Sequence, residues 1–204
     1  MNTQHDETAL LCYDIKSCRR LDAYSVKGDR HRFNDLAVGE PGDIYVTDTP
    51  AGAVWHLAPG SKELARLHGY FEFANGIALS PDGHLLYVST FGDGITVLDL
   101  RSQKAYPIAR PRELCLSTID GLYFRRGMLI AIQNAFMSPR VVRCMLTHDL
   151  RGIASFEVLE RRNRLFEGVT TGVVLGNEFY YMANIQDDRQ SEFHPISILK
   201  LRVR

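Results

Sequence analysis

Short apolar runs recur along the whole chain, each ended by Gly, Pro, Asn or Asp. They come in pairs. Asn34-Asp-Leu-Ala-Val leads through Gly39-Glu-Pro-Gly42 into Ile44-Tyr-Val-Thr-Asp-Thr49, and Asn75-Gly-Ile-Ala-Leu leads through Ser80-Pro-Asp-Gly83 into Leu85-Leu-Tyr-Val-Ser-Thr90. Short apolar runs joined by such residues predict antiparallel strands and tight turns.

The same two-run unit returns twice more. Asp120-Gly-Leu-Tyr-Phe124 turns at Arg125-Arg126-Gly127 and continues as Met128 to Asn134, and Thr171-Gly-Val-Val-Leu175 turns at Gly176-Asn177 and continues as Glu178 to Asn184. The starts at 34, 75, 120 and 171 follow one another at roughly 40 to 50 residues, the period of a four-stranded propeller blade. A third run follows the pair, as in Ala53–Leu57 and Ile95–Leu100, and a weaker fourth, as in Leu64–Leu67 and Ala105–Ile108. The fading has a physical reading: inner strands are covered on both faces by neighbouring blades, whereas outer strands meet water. The prediction is an all-β chain, one partial β-propeller domain over residues 1–204.

Both ends depart from the unit. Leu10–Ile15 and Arg20–Val26 read as the two outer strands of a blade without its inner pair, and Pro195–Val203 reads as a third strand without a fourth. The expected fold is thus an incomplete arc of about three full blades plus two partial ones. An arc leaves blade edges open to self-association. A truncated gene start is the favoured account of the incomplete ring, ahead of assembly from two copies or strained closure with fewer blades.

Composition narrows the partners. Lys plus Arg and Asp plus Glu each number 24, so the net charge is zero and neither a nucleic-acid footprint nor a membrane-binding basic patch is expected. The segment Met1–Leu10 lacks the basic and apolar regions of a signal peptide, which places the chain in the cytoplasm on this reading. Cys12, Cys18, Cys115 and Cys144 show no CxxC spacing and are expected as free thiols.

In a propeller the first strand of each blade lines the central channel, so equivalent repeat positions become neighbours around one channel mouth. Here they are Asn34, Asn75, Asp120 and Thr171. Amide and carboxylate oxygens of this kind suit hard cations such as calcium or magnesium. The competing reading is that Asn-Asp, Asn-Gly and Asp-Gly are turn dipeptides that open a strand after a loop.

Phe33-Asn34-Asp35, Ala74-Asn75-Gly-Ile-Ala-Leu-Ser-Pro-Asp-Gly83 with Leu86-Tyr-Val88, and Ile119-Asp120-Gly121 together resemble the SMP-30/gluconolactonase/luciferin-regenerating-enzyme-like family of six-bladed propellers. The resemblance runs from about Leu10 onward. It implies a divalent cation at the channel mouth, calcium first, with magnesium, zinc or manganese as alternatives. Asn75 and Asp120 match two of its protein ligands, and Asn34 matches a residue that contacts substrate. The family's remaining ligand is a Glu from an early blade, which would precede residue 1. Glu167, in Phe166-Glu167-Gly168, is out of register and does not take that role. The implied activity is hydrolysis of a lactone, a sugar lactone or related sugar-acid derivative, with the cation polarising the carbonyl and Asp120 orienting or deprotonating water. An incomplete ring would impair it. The rival is a non-catalytic propeller that binds a ligand or serves as a scaffold.

Other residues carry less. His31, His56, His68, His84, His148 and His194 show no metal-binding spacing and are expected to face solvent, no Ser sits in a nucleophile elbow, and Trp55 is expected to pack between blades.

Overall fold

The computed structural model describes residues 8–28, 30–134, 138–185 and 195–203; most of the amino-terminal segment weighed above for a leader, and His194, lie outside them. Every regular element among these residues is a strand. The first two, β1 (Ala9–Tyr13) and β2 (Arg20–Ser25), form a two-stranded sheet. Three four-stranded antiparallel sheets follow in chain order. The first comprises β3 (Phe33–Val38), β4 (Ile44–Asp48), β5 (Ala53–Leu57) and β6 (Ala65–Arg66). The second comprises β7 (Ile77–Leu79), β8 (Leu85–Thr90), β9 (Gly94–Asp99) and β10 (Lys104–Pro107). The third comprises β11 (Ile119–Arg125), β12 (Met128–Gln133), β13 (Arg140–Leu146) and β14 (Ile153–Arg161). A three-stranded sheet of β15 (Gly172–Leu175), β16 (Glu178–Met182) and β17 (Ile198–Arg202) ends the series. Three full blades flanked by two partial ones is the arrangement that the repeat predicts.

The apolar runs of the second strands now have their cause. Strand β12 is buried along its whole length. Leu129 and Ala131 belong to the core shared with the preceding blade, while Ile130 and Ile132 belong to the core shared with the following one. Strand β8 repeats this: Leu85 and Tyr87 face the third sheet, and Leu86 and Val88 face the first. The core is therefore three layers between successive blades. The period-2 pleat feeds two of them from one strand. At the outer edge β6 and β10 are largely exposed, which explains their weak apolar signal.

Inner strands set the ring of candidate residues, with β7 lying against β3 and β11, and β11 against β15. Among the described residues no helix is long and apolar enough to cross a membrane. All four cysteines are free, with only Cys144 buried.

Two histidines correct the sequence reading. His31 Nδ1 pairs at 2.6 Å with Asp48, whose fully buried carboxylate also accepts hydrogen bonds from the Arg32 amide and Trp55 Nε1. His56 stacks on Tyr45 and bonds Asp43 at 2.6 Å. Burying Asp48 requires such partners, which turns His31 inward, and the ring of Tyr45 covers His56, so both imidazoles are part-buried rather than facing water. Trp55 stands edge-on to His31.

Candidate functional site

Asn34, Asp35, Asn75, Asp120, Gly121, Thr170 and Thr171 line one cleft of about 240 Å³. The four register positions thus meet in one place, joined by the carboxyl of Asp35, which received no separate role in the sequence reading.

Asp35 was hidden by local geometry. Strict alternation along β3 would send the side chains of Asn34 and Asp35 to opposite faces. The β3–β4 pairing instead shifts register between Phe33 and Leu36, and the β11–β12 pairing shifts between Ile119 and Leu122, across Asp120. Such bulges re-aim side chains and are frequent beside functional sites. Pattern reading has no means of placing them.

Glycines in the two dipeptides decide between the readings left open above. Neither Gly76 nor Gly121 has the positive φ of a turn glycine. A Cβ on Gly76 would stand 2.4 Å from the Asp120 carbonyl oxygen and 2.8 Å from the Leu122 amide, and one on Gly121 would stand 2.8 Å from the Thr170 carbonyl oxygen. These glycines let successive inner strands approach each other. Asn-Gly and Asp-Gly here are packing motifs rather than turns.

Two threonines stitch the first blade to the second. The Thr47 hydroxyl accepts from the Asp35 amide at 3.0 Å and donates to the Asn75 carbonyl at 2.7 Å. The Thr49 hydroxyl accepts from Asn34 Nδ2 at 3.0 Å and donates to the Ala74 carbonyl at 2.7 Å. The bond from Asn34 Nδ2 to Thr49 fixes the Asn34 amide, leaving Oδ1 as its group for the cleft. On the far side Asn134 Nδ2 donates to Asp120 Oδ2 at 2.7 Å, orienting that carboxylate. Asn134 directly follows β12, and the sequence pattern assigns it no role.

Electrostatics follow from burial. The Asp35 carboxyl is pushed up to about 6 by burial, with the charge of Asp120 adding to it and the Leu36 and Ile77 amides opposing. Burial raises the Tyr123 phenol to about 12, so it stays protonated beside Thr171 and accepts the Gly172 amide. Asn75 Oδ1 is buried with no hydrogen-bond partner. An acceptor so placed costs on the order of 1–3 kcal/mol unless something else meets it. Together with the two carboxylates and the Asn34 amide it makes a set of hard oxygen donors, which fits a cation of the calcium or magnesium class. Among the described residues no group of three or more His, Cys, Asp or Glu side chains is placed to hold a metal. Any cation here would depend on the amides. Glu167, exposed and outside the cleft lining, takes no part.

Comparison with known proteins bears on the family and the fold. The family model described as SMP-30/Gluconolactonase/LRE-like region matches residues 2–121. No match was found among curated proteins. Among solved structures, hydrazine synthase of Kuenenia stuttgartiensis is similar at 13% identity and TM-score 0.67, over 96% of this chain and 57% of that one. A gluconolactonase from Xanthomonas campestris is similar at 20% identity and TM-score 0.63, over 88% of this chain and 64% of that one. Regucalcin of Agrobacterium tumefaciens, described as a calcium-binding protein, is similar at 14% and 0.64, over 95% of this chain and 70% of that one. The chain spans less than two thirds of the first two. At such identities the likeness is one of fold, and these neighbours bear different functions.

Proposed function

The chain belongs to the SMP-30/gluconolactonase/LRE-like family, and from that premise we propose a cation-dependent lactone hydrolase whose centre is the cleft of Asn34, Asn75 and Asp120. The observation that carries the reading is the buried, unpartnered Oδ1 of Asn75 in a cleft shared with Asp120. These two residues would hold the cation. When bound, it supplies Lewis-acid polarisation of the ester carbonyl. Calcium is the first to test, because the regucalcin neighbour is described as binding it.

The remaining roles follow from the hydrogen bonds. Asn34, braced by Thr49, orients the substrate. Asn134 occupies Asp120 Oδ2, so Oδ1 is the oxygen left to accept a proton from the attacking water. Water adds to the carbonyl carbon, the ring C–O bond breaks, and the leaving alkoxide takes a proton to give the hydroxy acid.

The test is hydrolysis of a lactone panel with and without added calcium, magnesium, zinc or manganese. Asp120→Ala is expected to lower cation-dependent kcat/KM at least about a hundredfold, the usual scale for losing a general base. Asn75→Ala is expected to weaken cation binding in calorimetry. Unchanged turnover in Asp120→Ala would overturn the assignment.

A further inference from the structure

A second cavity, of about 340 Å³, opens beside the oxygen-lined cleft, and Asn75 lines both. Its walls include Phe73, Phe91 and Ile119. Phe73 and Phe91 are 59% and 56% exposed, with ring centroids 5.6 Å apart and planes tilted by 57°. Leaving two phenyl rings in water forfeits the burial that ordinarily decides where phenylalanine sits.

The backbone holds them there. Phe73 has φ +50°, a conformation that a bulky L-residue adopts only when its surroundings impose it. Those surroundings are visible. Phe71 and Ala74 on either side are fully buried, the Phe71 amide donates to the Gly52 carbonyl at 2.9 Å, and the Phe91 amide donates to the Glu72 carbonyl at 2.9 Å. The turn is pinned at both ends, with Phe73 as its outward member. The last of these bonds ties the segment bearing Phe91 to that bearing Phe73, so the pair is pre-arranged.

Three of the hydroxyls on the walls are already engaged, and the other polar lining residues are Thr118 and, toward the oxygen-lined cleft, Asn75 and Asn134. The Thr49 hydroxyl donates to the Ala74 carbonyl, the Ser89 hydroxyl donates to the Ile119 carbonyl at 3.0 Å, and the Thr90 hydroxyl pairs with that of Thr96 at 3.3 Å. A polyhydroxylated sugar ring needs hydrogen-bond partners along its length, and these hydroxyls are committed elsewhere. An apolar group needs only area and aromatic contact. Because Asn75 belongs to both spaces, a single molecule reaching from one to the other has its polar, reacting end at Asn75 and Asp120 and its apolar end between the two rings.

Resting on the hydrolase reading above, we propose that the substrate is a lactone bearing an apolar substituent, alkyl or aryl, and that Phe73 and Phe91 select it over unsubstituted and sugar lactones. Three probes test this: γ-phenyl-γ-butyrolactone, γ-butyrolactone and glucono-1,5-lactone. Each is measured for binding by calorimetry and for turnover in the presence of calcium, with the full chain and with Phe73→Ala and Phe91→Ala. Both side chains are exposed, so the variants are expected to keep the melting temperature, which is checked in parallel. The phenyl lactone is expected to bind about tenfold more tightly than γ-butyrolactone, the scale of one good aromatic contact. That ratio should fall toward one in each variant, while Phe73→Leu keeps part of it. Equal affinity for the three probes in the unmodified chain, tighter binding of the sugar lactone, or a preference that survives both alanine variants overturns the proposal. Hydrolysis without preference leaves the hydrolase reading standing and removes this one. A phenyl preference in binding without hydrolysis under any cation does the reverse.

Discussion

Asp35 is the residue at which cleft and stability pull against each other. Its carboxyl is raised to about 6, burial being the first cause and the charge of Asp120 another. For an acid whose folded value lies above the ordinary 3.8, ionisation is harder in the folded state than in the unfolded one. Its contribution is therefore least unfavourable below pH 4 and grows more unfavourable as pH rises toward 6, beyond which it levels off. Asp35→Asn removes that titration. In cation-free buffer the stability of the variant relative to the unmodified chain should shift in its favour by up to about 3 kcal/mol between pH 4 and pH 8, following 1.36 kcal/mol per pKa unit. Chemical denaturation at the two pH values measures it. A difference that stays flat with pH would show that the carboxyl titrates normally. Acids raised in this way by burial and a neighbouring charge cluster at functional sites.

Elements convert such residues into a site through the approach of β7 to β11. Gly76 touches the Asp120 carbonyl side of β11 so closely that a methyl group has nowhere to go, and the atoms it would strike are backbone rather than the ends of flexible side chains. Gly76→Ala should therefore part the two strands, costing about 1–3 kcal/mol as overpacking does, and should weaken cation binding at Asn75 and Asp120 as well. A variant with unchanged melting temperature and cation affinity would refute the close-approach account. This is also where sequence legibility changes. The repeat register brought Asn34, Asn75, Asp120 and Thr171 to one mouth because four copies of the same strand pair had to stack, and stacking is written in the apolar runs. Asp35 and Asn134 were not legible in the same way. The first depends on a bulge that breaks the period-2 rule, and the second on a hydrogen bond between the ends of two paired strands. His31 and His56 were misjudged for a related reason: what turned them inward was a carboxylate 17 or 13 residues away in sequence.

The blades bury one another, and at the scale of the whole molecule the unpaired faces become the feature to explain. Along β15 the outward positions are Val173 and Leu175, 57% and 68% exposed, and along β3 they are Leu36 and Val38, at 46% and 63%. On β7 and β11, which have inner-strand neighbours on both sides, apolar residues of both faces, such as Ile77, Ala78 and Leu122, are buried. The contrast is positional rather than compositional: the same kind of strand carries the same kind of residue, and what differs is whether a blade lies beyond it. Contiguous exposed apolar rows of this sort drive association, and the open sheet edges beside them add unpaired backbone groups. A chain of these 204 residues is expected to self-associate in a concentration-dependent way. Sedimentation should show the mean mass rising above 23.1 kDa across the micromolar range, and Val173→Lys with Leu175→Lys should return it toward the monomer without lowering the melting temperature, since both side chains are already in water. A monomer at every concentration would mean that these rows are tolerated in solution. Association that survives both lysines would move the contact to β3 or to the sheet edges, and Leu36→Lys with Val38→Lys distinguishes those two.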